Sequence, residues 1–222
     1  MFRAVTVSSE FGSGGALIAG YVAETLGWKL LDDALIGEIA YAAQVSTEIV
    51  SRYDEHVDSW WRRFNRGGLR SAAICAGIAP DDAQFFDGET EAAIARQIID
   101  KAAHEGDCVI VGRGAQCVLQ CCEDVLHVFV YAPWADRVER ARRRLASGQD
   151  AEGLIHATDR QRASFIQTYY KCDWKNPHLY HLMLSSTLGT EQTGWIIIDA
   201  IDQWGTMRTC SRTRVGTTCT LT

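Results

Sequence analysis

The sequence has little proline, no long apolar run, no paired cysteine motif and no excess of positive charge. Three prolines in 222 residues exclude proline-rich, collagen-like and mucin-like chains. At 47% hydrophobic and 23% charged residues the composition is that of an ordinary globular protein, far from disorder. No run reaches the roughly 18–20 apolar residues that span a bilayer. Met1-Phe2-Arg3 leads straight into a strand-like segment where a secretory signal would place an apolar core. A cytoplasmic protein with no membrane partner is therefore expected. Eight cysteines, at 75, 108, 117, 121, 122, 172, 210 and 219, never fall in CxxC spacing, so reduced structural thiols are expected. Cys117, Cys121 and Cys122 lie close in sequence but lack the partners of a tetrahedral metal site. Lys+Arg 22 against Asp+Glu 28 gives −6, which argues against a nucleic-acid partner.

What is present is alternation. Short apolar runs follow helical patterns along the chain, the signature of an α/β fold with a parallel sheet covered by helices on both faces. Strands are expected at Ala4–Val7, Trp28–Leu31, Cys108–Val111, Val125–Tyr131 and Leu182–Leu184. Trp195–Ile198 is open between a strand and the helical end of the fold. Helices are expected over about 16–26, 89–104, 133–146 and 150–170. The section 34–87 is helical in pattern. Its arginines and tryptophans, Arg52, Trp60, Trp61, Arg62, Arg63, Arg66 and Arg70, are read as an amphipathic helix with inward tryptophans or as a stacking clamp for a base or sugar phosphate. Residues 206–222 hold seven threonines, and a loosely ordered tail is expected from 202.

The first strand runs into Ser8-Ser9-Glu10-Phe11-Gly12-Ser13-Gly14-Gly15 and then a helix. Such a loop sits at the carboxyl edge of a parallel sheet, where helix N–H groups and dipole favour an anion. Gly12, Gly14 and Gly15 let the backbone approach a phosphate closely. Two motifs compete for the loop. A dinucleotide fingerprint would use Gly12 and Gly14 with Asp32 on the ribose, but Leu17 stands at the third glycine position. The GxxxxGK[ST] pattern would begin near Ser9, but Gly15 and Ala16 stand at its lysine and hydroxyl positions.

Arginines separate the two. Arg113 lies between Gly112 and Gly114 directly after a buried strand. Residues 137–162 hold seven arginines against four acids, a local +3 that leaves the remainder at −9. Phosphoryl transfer needs such charge, whereas hydride transfer does not. The run Arg142-Arg143-Arg144 is read as a solvated helix face.

Six segments taken in order complete a resemblance: Val7–Gly15, Leu31–Ile36, Val109–Ala115, Val130–Pro133, Thr158–Ala163 and Asp173–Tyr180. The chain resembles the cytidylate kinase-like family of P-loop nucleoside monophosphate kinases over about 1–201. The resemblance implies a three-layer P-loop kinase fold with a five-stranded parallel sheet, a helical acceptor-binding insert at about 34–87 and a lid at about 146–170. It implies ATP and magnesium as cofactors, small-molecule nucleotides as partners, and transfer of the γ-phosphoryl group to an acceptor such as CMP or dCMP. Carried over, Gly12, Ser13, Gly14 and Gly15 cradle donor phosphates, with Ser13 and Asp32 as metal candidates. Asp32 and Arg113 bind the acceptor. Arg137, Arg160 and Arg162 close onto the transferring group, and Asp159 orients an arginine. Asp173 and Trp174 form a packed corner. Relatives that lack the loop lysine commonly carry arginines just before and after the loop; Ser9 and Ala16 stand there. A lysine restored at 15 would return the missing charge. Two other readings stay open: a catalytically degenerate nucleotide-binding module that regulates or scaffolds a partner, and an NAD(P)-binding oxidoreductase.

Overall fold

The structure, a computed structural model, describes residues 2–32, 88–145 and 149–213. The section 34–87, residues 146–148 at the start of the expected lid, and residues 214–222 of the tail lie outside them. The chain divides into two units, Met1–Asp33 with Arg96–Thr222, and Ala34–Ala95. Of the second, the description covers only the start of a helix that begins at Gly88.

The first unit contains β1 (Ala4–Ser9), β2 (Lys29–Leu31), β3 (Cys108–Val111), β4 (Val125–Tyr131) and β5 (Leu182–Ser185). They form one parallel sheet in the order β2-β3-β1-β4-β5. The connecting helices are α1 (Gly15–Leu26), α2 (Gly88–Glu105), α3 (Ala115–Val118), α4 (Trp134–Arg142), α5 (Ala151–Tyr170) and α6 (Thr190–Thr213). All five expected strands are present. Trp195–Ile198 lies within α6, which continues past 202 to Thr213, where a loosely ordered tail had been expected. The chain leaves β1 toward one flank of the sheet and leaves β3 and β4 toward the other. The carboxyl end of β1 is thus where the winding reverses, the position at which open α/β sheets bind ligands.

The two faces of the sheet differ. On one, Val5 and Val7 of β1, Val109 and Val111 of β3 and Leu126, Val128 and Val130 of β4 pack against Ile18, Ala19 and Val22 of α1 and Ile197, Ile198 and Ile201 of α6. On the other, Phe129 meets Cys117, Ile166 and Trp174, but the same strands also bury Thr6, Ser8 and His127. The register places Thr6 beside His127, and the Thr6 hydroxyl lies 2.8 Å from His127 Nδ1. The His127 ring stacks on His181 with centroids 5.1 Å apart, and the His127 backbone N–H donates to His181 Nδ1 at 2.9 Å. Among the described residues the cysteines 108, 117, 121, 122 and 172 are free thiols. Burial pushes Cys108 and Cys117 up to about 12, so both are inert. Cys121 and Cys122 lie beyond the end of α3, so the three clustered cysteines do not share a helix. Among the described residues no helix is long and apolar enough to cross a membrane.

The histidine pair makes stability depend on pH. Burial pulls His127 down to about 4, with His181 adding to the shift, and burial also lowers His181. An unfolded histidine titrates near about 6.5, so the unfolded chain binds more protons between these limits. Stability from the pair is complete above about pH 6.5 and is lost as pH falls through about 4. The Tm of the wild-type chain should fall between pH 6.5 and 4, and His127→Asn should make that fall shallower. An identical slope in the variant would exclude the pair as its source.

Candidate functional site

The site is built from the loop after β1. Gly12 and Gly14 take φ of 80° and 85°, a region that favours glycine. Gly12 is required twice over, since a Cβ there would lie 2.9 Å from the Arg137 carbonyl oxygen. Gly14 caps α1, and the Ser13 hydroxyl is buried without a hydrogen-bond partner among the described residues.

Arg137 ties this loop to two helices. Its side chain is 6% exposed. Nε donates to the Phe11 carbonyl at 2.7 Å, Nη2 donates to Asp159 of α5 at 2.5 Å, and Nη1 lies 3.3 Å from Glu10. Asp159 Oδ1 accepts the Phe11 backbone N–H at 2.8 Å, and Glu10 Oε1 accepts from Lys175 at 2.6 Å. Arg137, expected to close onto a transferring group, has its donors committed to holding the loop in this structure. Asp159 does pair with an arginine, as expected, and that arginine is Arg137.

Beside the loop, the turn after β3 places Gly112, Arg113 and Gly114 at φ of 77°, 50° and 74°. Three consecutive left-handed residues are costly, on the order of 1–3 kcal/mol for the non-glycine. Such turns bring backbone N–H groups into anion-binding concavities. Tyr170 at the end of α5 secures this one, its hydroxyl donating to the Arg113 carbonyl at 3.0 Å. The ring covers Gly114, where a Cβ would lie 2.3 Å from it.

A cleft of about 230 Å³ lies between the end of β1, the turn after β3 and α5, lined by Ser9, Arg113, Gln116, Arg162, Phe165 and Trp174 among others. Arg162 is fixed there by donating to the Ser9 carbonyl. Arg160, two residues earlier on α5, borders a different groove of about 470 Å³ with Trp134, His156 and Lys175. Two helical steps turn a side chain by about 200°, so the pair expected to act together is split. Asp32 follows β2, and β3 lies between β2 and β1; at about 4.8 Å per strand it stands roughly 10 Å to the side of the loop. A dinucleotide fold needs β2 next to β1 for its acid to reach the ribose, so the oxidoreductase reading loses its geometric basis.

Two residues escaped the sequence reading. Gln116 is 1% exposed, borders the cleft and accepts from Ser8 at 2.9 Å, while its buried Nε2 makes no hydrogen bond among the described residues. Its position two residues past the GRG turn was the available signal. Arg140 donates to the carbonyls of Gly12 and Ser13 at 3.3 and 2.9 Å and to the Ser186 hydroxyl at 2.8 Å. It borders a pocket of about 300 Å³ with Ser13, Arg143 and Arg144. Part of the arginine run thus faces a pocket, while Arg142 and Arg143 pair with Glu152 and Glu139 on the surface. No group of three acidic, histidine or cysteine side chains among the described residues is arranged to hold a metal. Of the two metal candidates, Ser13 stands on the loop and Asp32 follows β2, one strand removed from β1.

The cytidylate kinase-like family matches residues 4–188. The chain belongs to that family. A crystal structure of an uncharacterized protein from Eubacterium ventriosum is similar to it, with a TM-score of 0.63 at 20% identity over 90% of this chain and 98% of that one. The tunicamycin resistance protein of Deinococcus radiodurans gives 0.50 at 14% identity over 90% and 96%. Shikimate kinase from Bacteroides thetaiotaomicron gives 0.48 at 12% identity over 90% and 98%. No curated protein matches the chain. The family membership supports a nucleotide-kinase role, that of a phosphotransferase.

Removing Arg137 should leave Asp159 as an uncompensated, largely buried carboxylate, with Glu10 held by Lys175 alone. Arg137→Met is expected to cost about 3–5 kcal/mol in chemical denaturation. Arg160→Ala, at an exposed position, should stay within about 0.5 kcal/mol. Equal effects of the two would remove the network from its structural role.

Proposed function

We propose that the chain transfers the γ-phosphoryl group of ATP, carried with magnesium, to a nucleoside monophosphate, with CMP or dCMP the favoured acceptor. The observation that supports this most is the shared edge. The glycine loop and the turn at Arg113 follow the neighbouring strands β1 and β3 at the carboxyl edge of the sheet, and Ser9 and Arg162 line the cleft beside the turn.

In this reading the backbone of Gly12–Gly15 and the start of α1 hold the donor phosphates, aided by about half a positive charge at the helix terminus. The donor nucleoside extends into the pocket bordered by Arg140, Arg143 and Arg144. Arg113 and the backbone of its turn hold the acceptor phosphate, with Gln116 offering its amide N–H to an acceptor oxygen. Arg162 stands against β1 and neutralises charge on the group in flight. Ser13 would offer its hydroxyl to a magnesium ion, which would neutralise phosphate charge when bound. No side chain forms a covalent intermediate; the residues position and stabilise charge. Helix α5 would act as the lid.

The second reading, a nucleotide-binding module without turnover, is favoured by the uncharged positions 15 and 16. Incubation with ATP, magnesium and a panel of nucleoside monophosphates decides between them. Diphosphate should form from CMP or dCMP, and Arg162→Ala should lower kcat by about 10²–10³-fold, the cost of losing one charge-stabilising donor. Nucleotide binding without any product would establish the binding module instead.

A further inference from the structure

A P-loop carries glycine at the position of Ser9 and lysine at the position of Gly15. Here the occupancy is exchanged, with a side chain at 9 and none at 15. A Cβ built on Gly15 would lie 2.4 Å from Ser9 Cβ and 2.6 Å from Ser9 Oγ, while the next atom, Val130 Cβ, is at 3.6 Å. The demand for glycine is purely steric, because Gly15 is not among the left-handed residues. Nor can Ser9 step aside. It is the last residue of β1, paired in register with Val130, and its carbonyl accepts from Arg162. One of the two positions can hold a side chain, but not both.

With position 15 closed, charge at the loop must come from another element. Arg140 is the cation already there. Its Nη1 grips the loop carbonyls of Gly12 and Ser13, and it lies 3.8 Å from where a Cβ on Gly14 would stand. Nε and Nη2 make no hydrogen bond among the described residues, and the guanidinium borders the pocket that also takes in Ser13. The Ser13 hydroxyl is an independent sign of a missing ligand: the residue is 0% exposed and its Oγ lacks any partner among the described residues.

We infer that positions 9 and 15 are mutually exclusive, and that this loop therefore binds phosphate with its cation delivered from α4 by Arg140. The inference rests on the donor-site reading above, but its first test needs no ligand. An alanine at an ordinary helix position normally stabilises relative to glycine. Gly15→Ala should instead lower Tm by about 3–10 °C, the effect of overpacking in a chain of this size, and Ser9→Gly in the same chain should restore it. A Gly15→Ala protein as stable as the wild type overturns the exclusion. The second test measures tripolyphosphate binding by calorimetry, with circular dichroism confirming the fold of each variant. Arg140→Ala should weaken binding at least about tenfold, as expected for loss of a charged hydrogen-bond donor, and Arg140→Lys should recover part of it. Gly15→Lys alone should destabilise the chain. The double variant Ser9→Gly/Gly15→Lys should fold, bind, and make Arg140→Ala less costly. Equal binding by wild type and Arg140→Ala overturns the assignment of Arg140 alone. A wild-type chain that binds no tripolyphosphate overturns the donor-site reading together with that assignment.

Discussion

The buried guanidinium of Arg137 is the constraint on which the site depends. It faces two carboxylates and a carbonyl in a largely buried region. Buried ion pairs add little net stability, because desolvation offsets their attraction. What this network supplies is position. It pins the loop at Phe11, α5 at Asp159 and the segment after α5 through Glu10 and Lys175. The backbone of α4 comes so close that only glycine fits at position 12. The loop is shaped from behind before any ligand arrives.

The asymmetry of the sheet serves the same end. One face is a dry aliphatic layer between β1, β3, β4 and the helices α1 and α6. The other carries Thr6, Ser8 and His127 and floors the cleft with Gln116. Buried polar groups cost free energy unless they find partners. Most here do, through the pairs Thr6 with His127 and Ser8 with Gln116. Ser13 Oγ and Gln116 Nε2 find none among the described residues, and both residues border a pocket.

Local sequence carried the strands, the glycine loop and the GRG turn, because period, glycine content and turn chemistry are short-range properties. Strand order is not one of them. That β3 inserts between β1 and β2 decides how far Asp32 stands from the loop, and nothing near Asp32 records it. The fates of Arg137, Arg140, Arg160 and Arg162 were illegible for a related reason. All are arginines on amphipathic helices, and which one is buried, which grips a carbonyl and which points away depends on the rotation of α4 and α5 against the sheet. The conflict between Ser9 and Gly15 was invisible because it is a contact between residues six apart, across a turn whose path only the folded chain defines. It also changes the meaning of the missing lysine: a lysine restored at 15 alone would meet Ser9.

Helix α5 holds both loops at once. Asp159 and Arg162 fasten it to the loop after β1, and Tyr170 fastens it to the turn after β3. Eleven residues, about 16 Å of continuous helix, join the two anchors. A displacement of α5 at either end is therefore felt at the other. Where each loop takes a ligand that shifts this helix, the two binding equilibria are thermodynamically linked, and each ligand must alter the affinity for its neighbour by the same factor.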